Sequence, residues 1–427
     1  MRLFSPLIAA VLAAGPLSGL AGSGSAHAGT VAPAAGQAQP GGKASPETAP
    51  RTVADWIALG DRQISQGRAA AAVLIFGAVA ARQPDYPPAQ EGLDRAFARF
   101  GPVGRAEGFL RYALAEDPAR ERALLAAWQA LDRAHPLRFS GSASILPSSN
   151  VDHVASERYL VTDFGTFLID GGGQESTGVG LGYSPGVDYI LHSRPGARVR
   201  LHADYAGAWF DAAPLRYGEP SLGITYERLG GRAPWSLEAF ASRRRYGGTG
   251  QVVTADNTAR GLELRKAWRP GRGGRVLLDL GAVYRRYSEK PYLTGPTYDL
   301  DLSRIRPVAA HGRISYGLHL QRGRPRKNYH RYSGVELRVG YARPVVPDLQ
   351  LSVTLGLGQR LYDTAFPIVG ERRRDRTLSL GIGAKLSRLK IFGRTPRLSC
   401  TAWRTRSNIA LYTIGSVDCA MTLTLDF

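Results

Sequence analysis

The sequence predicts a mainly β protein, a transmembrane antiparallel β-barrel of about fourteen strands preceded by a small α-helical domain. Three observations predict it. The chain closes on alternation, with Val417, Cys419, Met421, Leu423, Leu425 and Phe427 on one parity and Asp418, Ala420, Thr422, Thr424 and Asp426 on the other. A period of two is a strand with one apolar and one polar face, as a barrel strand presents to lipid outside and to a wet lumen inside. Alternating segments recur from Leu137 to Phe427 and run about ten residues or more, the length a tilted strand needs to cross a bilayer. The connections between them alternate short and long, like the turns and loops of outer-membrane barrels. Composition agrees: 51 of the 427 residues are glycine, and glycine is a poor helix former.

The elements follow in order. Arg2, the apolar run Leu3 to Leu20 and the small residues of Ala26-His27-Ala28 read as a secretory signal peptide over 1–28, with a mature chain expected to begin near Gly29. The other reading, an uncleaved anchor helix, is disfavoured by Pro16 within the run. Residues 29–51 carry Pro33, Pro40, Pro46 and Pro50 among Ala, Gly and Gln, the composition of a disordered linker.

Residues 52–135 switch to a helical period and they repeat. Gly67 and Gly101 are 34 residues apart, as are Pro84 and Pro118. That period with helix–turn–helix content is the tetratricopeptide (TPR) signature. Trp56, Leu59, Gly60, Ala72, Phe76 and Pro84 stand in the order the TPR pattern requires. Leu93, Phe97, Ala106, Leu110 and Pro118 follow in a second copy that lacks the Trp and the Gly. A third helical stretch, 119–135, caps the stack. Each helix pair leaves an apolar face that only its neighbour covers, and such stacks present a concave surface to peptides or proteins. Trp56, Leu59, Gly60, Phe76, Phe97 and Leu110 are expected to frame that client-binding domain, more as core than as contacts. A packed plug or spacer with no ligand is the competing reading.

From 137 to 427 lies the barrel. Leu349, Leu351, Val353, Leu355 and Leu357 alternate with Gln350, Ser352, Thr354, Gly356 and Gly358, and Leu378, Leu380, Ile382 and Ala384 with Ser379, Gly381, Gly383 and Lys385. Short turns near 195, 231, 271, 311, 346 and 393 and longer loops near 160, 214, 252, 293, 327, 369 and 411 give fourteen strands, with twelve and sixteen as the alternative counts. An even number returns both ends of the barrel to the periplasm, where the helical domain then sits. The long loops face outward, and with them the clusters Arg243-Arg244-Arg245, Arg322 to Lys327 (including Arg324 and Arg326) and Arg372-Arg373-Arg374. Guanidinium groups pair bidentately with phosphate. These clusters are the expected contacts for lipopolysaccharide, against a reading as solvated loops.

The formal net charge of +20 would suit nucleic acid, but a secreted chain rarely meets it, so no nucleic-acid partner is expected. Cys400 and Cys419 share the apolar parity of the last two strands. They either bridge, as an oxidising compartment permits, or remain two lipid-facing thiols. No cofactor is expected, and two Cys without nearby His make no metal site. No G-x-S-x-G, H-E-x-x-H or C-x-x-C occurs, and His192, His202, His311, His319 and His330 are scattered, so no catalytic residue is assigned and an enzyme is disfavoured.

Signal peptide, short TPR domain and barrel of about fourteen strands is a plan that resembles the surface lipoprotein assembly modifier (Slam) family. Leu146-Pro147-Ser148-Ser149-Asn150-Val151 is similar to that family's P-S-S-N segment. Gly393-Arg394-Thr395-Pro396 and Arg406-Ser407-Asn408-Ile409-Ala410-Leu411-Tyr412 fit it as well. The resemblance implies transfer of a client, a surface lipoprotein or a small secreted protein, across the outer membrane, with capture by the TPR domain and passage by way of the barrel. It leaves client identity open, because the second repeat departs from the pattern. Pro147 to Asn150 and Ser407, Asn408 and Tyr412 are then loop motifs that shape the outer mouth. Their simpler reading is turn chemistry. Phe427 is implied to be the signal by which the barrel assembly machinery recognises the chain. A passive porin and an exopolysaccharide export porin remain the alternatives.

Overall fold

The computed structural model describes residues 52–426, apart from 163, 170–171, 212–214, 232, 248–254, 271–273 and 309–310. The expected signal peptide, the expected linker and Phe427 lie outside the described residues.

Five helices come first: α1 (Val53–Ser65), α2 (Ala69–Ala80), α3 (Pro87–Ala98), α4 (Val103–Glu116) and α5 (Glu121–Ala134). Thr52 starts α1 with a capping box, its hydroxyl accepting from the Asp55 amide while the Asp55 carboxylate accepts from the Thr52 amide. Gly67 and Gly101 link α1 to α2 and α3 to α4, both at positive φ (73° and 77°). Their 34-residue spacing therefore marks two equivalent left-handed turns that favour glycine.

Phe76 is the centre of the helical core, fully buried between two glycines. A Cβ on Gly60 of α1 would lie 2.4 Å from its ring, and one on Gly92 of α3 2.5 Å. Phe97 and Leu110 are buried in the same cluster, Trp56 packs on it half-buried, and Leu59 is half-buried outside it. The last helix lies along α2, where Gly77 allows contact with the Ala123 carbonyl (2.5 Å from an added Cβ).

The barrel begins at β1 (Leu137–Ser148). A hairpin of β2 (Tyr159–Thr162) and β3 (Gly165–Leu168) stands apart from the wall. The next wall position is shared by β4 (Gly178–Tyr183) and β5 (Gly186–Arg194), which both pair with β1 and with β6 (Ala197–Trp209). Pro185, which has no amide hydrogen to donate, separates them. A meander follows: β7 (Tyr217–Arg228), β8 (Trp235–Tyr246), β9 (Asn257–Trp268), β10 (Arg275–Tyr287), β11 (Gly295–Val308), β12 (Gly312–Gly323), β13 (Tyr332–Val346), β14 (Leu349–Ala365), β15 (Arg372–Leu386), β16 (Arg397–Ser407) and β17 (Ile414–Asp426). Pairing of β17 with β1, from Ser140↔Asp426 to Ser148↔Asp418, closes the cylinder at fourteen wall positions, all antiparallel.

Parity decides which face each side chain takes. Leu355, Leu357, Leu378, Leu380 and Ile382 are exposed on the outside, while Gly356, Ser379, Gly381 and Gly383 line the interior. A belt of large exposed apolar residues is the reverse of a soluble surface and is the face a bilayer covers. Cys400 and Cys419, directly opposed on β16 and β17, are disulfide-bonded.

Candidate functional site: the two mouths of the barrel

One mouth is covered by the helices. Arg138 and Arg198 sit on the inward parity of β1 and β6, both buried. From the helices, Glu107 of α4 and Asp132 of α5 reach down onto them. Arg138 binds Glu107 and, at 2.5 Å, Asp132. Arg198 binds Glu107 at 2.6 Å and Asp132 at 3.1 Å, and also pairs with Glu227 of β7. Ser193 donates to Asp132 at 2.7 Å, and the Gln129 amide donates to the Ser193 carbonyl at 3.2 Å. Burial opposes ionisation of Glu107, but Arg198, Arg138 and Arg111 outweigh it and hold its carboxyl well below the usual carboxylate range.

Apolar contact completes this mouth. Trp128 is 1 % exposed, with the guanidinium groups of Arg111 and Arg198 over its ring at 5.1 and 5.5 Å. Leu125 rests against the glycine turns at Gly196 and Gly230, and Leu229 joins the helical core. At the rim, Arg269 donates to Glu116 (2.7 Å) and to the Ala115 carbonyl (3.0 Å).

The other mouth carries the long loops. Ala155, Leu160, Ile169, Phe366, Ile409, Leu411 and Tyr412, drawn from three loops, form one buried cluster, with Tyr329 from a fourth packed on it. Phe366 meets Tyr412 and Tyr329 edge-on at 5.6 and 5.8 Å. Arg373 lies under this roof, 3.4 Å from the Tyr412 ring centroid and 2.5 Å from the Asp375 carboxylate. Burial, aided by Arg373, lowers the pKa of His330 to about 4.

The two sequence motifs clasp this end together. Pro147 cannot donate to the seam, and the β1–β17 ladder lapses between Ile145↔Met421 and Ser148↔Asp418. Its neighbours supply the missing bonds. The Ser148 hydroxyl donates to Asp418 (2.6 Å), the Ser149 hydroxyl accepts from the Val417 amide (2.8 Å), and Asn150, fully buried, donates to the Gly415 carbonyl (2.9 Å). Asn408 ties the last loop to β15, accepting from the Arg374 amide at 2.7 Å and donating to the Arg372 carbonyl at 3.0 Å and to Glu371 at 2.9 Å. The Ser407 hydroxyl accepts from the Ile409 amide at 3.2 Å.

The basic clusters are sorted by parity. Arg243, Arg245, Arg372 and Arg374 are exposed on the outward parity, and Arg324, Arg326 and Lys327 are exposed in the loop after β12. Two residues depart from the expectation. Arg244 turns into the lumen onto Glu219 (2.6 Å) and the Tyr217 ring, and Arg373 turns in beneath the roof, because alternate residues of a strand face opposite ways. Neither reaches lipid. The ionic cluster of Arg138, Arg198, Glu107 and Asp132 had no motif to announce it. The one available signal was an arginine on the otherwise small inward parity of β1, where Ser140, Ser142 and Ser144 follow Arg138.

The family model of the surface lipoprotein assembly modifier matches residues 138–426. The chain belongs to that family. No curated protein matches the chain. Among solved structures, an OmpT loop-deletion mutant from Vibrio cholerae is 8 % identical, with 68 % of this chain and 99 % of that one covered and a TM-score of 0.37. CdiB from Acinetobacter baumannii is 12 % identical, covering 67 % of this chain and 60 % of its own, with a TM-score of 0.38. At such scores these likenesses carry no argument about function. As a surface lipoprotein assembly modifier with a closed barrel, the protein is an outer-membrane protein with a translocation or channel role.

Proposed function

We propose that this barrel carries a client protein, a surface lipoprotein or a small secreted protein, from the periplasm to the cell surface. In this reading the helical mouth faces the periplasm, and the TPR-like helices capture the client there. The observation that supports it best is the ionic cover on that mouth. Glu107 and Asp132 are held on Arg138 and Arg198 inside the wall, so the helices sit as a docked lid and not as a tethered appendage. A passive pore for small solutes gains nothing from such a lid. A conveyor gains a two-state element, because a client that binds the helices better undocked than docked shifts them off the mouth. With no nucleotide motif in the chain, the work comes from client folding or from the assembly machinery.

The test is co-expression of the full chain with a lipoprotein encoded beside it, followed by protease treatment of intact cells. The client is expected to become protease-sensitive only when this chain is present. Steady ion conductance of the purified protein in planar bilayers, with no effect on any client, would replace this reading with a porin. Retention of an acidic glycan would replace it with a polysaccharide exporter.

A further inference from the structure

The arginines of this barrel fall into two populations. In one, each arginine has an acidic partner: on the lumen parity Arg198 with Glu227, Arg244 with Glu219, Arg338 with Asp301 and Arg373 with Asp375, and on the outward parity Arg322 with Asp363. The outward arginines at the loop end of β15 and β16 do not. Among the described residues, Arg372, Arg374, Arg376, Arg404 and Arg406 have no ion pair and no side-chain hydrogen bond. Yet they stand close together. Arg376 is directly opposite Arg406 in the ladder, and Arg404 is opposite Leu378. Like charges facing each other across a strand pair are destabilising. The neighbouring carboxylate, Glu371, is hydrogen-bonded to Asn408 instead.

The backbone makes room beside them. The β14–β15 register shifts between Leu361 and Ala365, and a groove of about 670 Å³ opens there, with Arg372, Arg373, Arg374, Arg376, Arg406 and Asn408 in its lining. Immediately below, on the same outward parity, run Leu357, Leu378, Leu380 and Ile382, all exposed. Unneutralised guanidinium groups converging on a groove suit a phosphate, which they bind through paired, charge-assisted hydrogen bonds. An apolar track leading away from it toward the middle of the membrane suits acyl chains.

From this juxtaposition we infer that the β14–β16 groove is a binding site for the phosphate of a phosphorylated glycolipid in the outer leaflet, its acyl chains lying along Leu357, Leu378, Leu380 and Ile382. This narrows the contact expected from the sequence to one site. It adds Arg376 and Arg406, with Arg404 beside them on β16, and leaves out Arg244; Arg373 lines the groove, but its guanidinium is already held by Asp375 and the Tyr412 ring. The leaflet rests on the orientation proposed above; the phosphate chemistry does not.

The full-length protein, purified in detergent, is titrated with lipid A, with dephosphorylated lipid A and with inorganic phosphate, and bound lipid is counted by native mass spectrometry. Lipid A is expected to bind, and the double variant Arg376→Ser/Arg406→Ser to weaken it by about tenfold or more, because each lost charge-assisted bond is strong. Arg304→Ser/Arg306→Ser, exposed on the outward parity at the helical end of β11 and away from the groove, is expected to leave binding unchanged. Without lipid, the groove variant is expected to melt no lower than the parent, since it relieves the repulsion. That readout also shows that it folds. Equal binding of dephosphorylated lipid A, equal binding by the groove variant, or inorganic phosphate competing as well as lipid A would each overturn the site. Orientation is read separately, by labelling a Glu289→Cys variant in intact cells with a membrane-impermeant maleimide. Failure to label would overturn the orientation while leaving the phosphate result to stand.

Discussion

At the helical mouth the cover is centred on charge, with two buried arginines of the wall against two carboxylates of the helices and Trp128 and Leu125 packed beside them. At the loop mouth the cover is held by aromatic and aliphatic packing, with Phe366, Tyr412, Ile409 and Leu411 closing over Arg373. The difference sets how each end responds. Apolar packing is non-directional and varies little with salt. A buried ion cluster contributes little net stability when complete, but loses much when one member is removed, because the partners stay buried and uncompensated. The helical cover is therefore the one that a competing acidic or basic segment can release. The loop cover yields only to something that displaces apolar surface.

The largest break in this symmetry comes from Arg198→Ala. It leaves Glu107, Asp132 and Glu227 short of a partner, and the docked state is expected to lose about 3–5 kcal/mol. Hydrogen exchange in α4 and α5 is then expected to rise sharply while the loop cluster stays protected. Unchanged exchange would mean that Leu125 and Trp128, and not the ions, hold the helices. Next is Tyr412→Ala, which empties the space beneath the loops and removes the ring over Arg373. The cost is expected to be about 3 kcal/mol, confined to the loop end. Protease cleavage in the loop over 149–177 measures it, with the helices as internal control.

The smallest effect is pH. His330 is neutral in the folded roof, with a pKa near 4 against 6.5 for the free side chain. Its contribution is complete above about pH 6.5 and declines as pH falls through that value toward 4. Glu107 is held ionised in the fold, so its contribution is present above the ordinary Glu value of about 4.5 and declines only below it. Acidification from pH 7 to 5 is thus expected to loosen the roof before the helical cover. Hydrogen exchange at the two ends, compared at those pH values, would reverse the assignment if the helices loosened first.

Much of the wall was legible because its causes are local. Period-two alternation needs only neighbours, and turn positions such as Arg194-Pro195-Gly196 declare themselves by residue type. The helical repeat was legible for the same reason, since Gly67 and Gly101 hold equivalent turns. The mouths were not. Arg198 lies 91 residues from Glu107 and 66 from Asp132, and no spacing rule connects them. The inward turn of Arg244 and Arg373 follows from parity, but only once the strands are known to extend through those clusters. The groove beside Arg376 and Arg406 needed both the register of β15 on β16 and the slip after Leu361. The P-S-S-N segment had a visible sequence and a hidden purpose, because its role appears only when the last strand lies beside the first.

The last strand has two unequal neighbours. On one edge it is joined to β16 by a covalent link at Cys400–Cys419. On the other it meets β1 by a ladder that lapses beside Pro147 and is finished by serine and asparagine side chains. The cylinder therefore has a sewn edge and a buttoned edge. A wall pulled apart opens at the buttons, and the final strand departs with its penultimate neighbour as one flap. The same asymmetry lets the terminal hairpin be sewn while the sheet is still open, because the bridge needs only β16 and β17 and not β1.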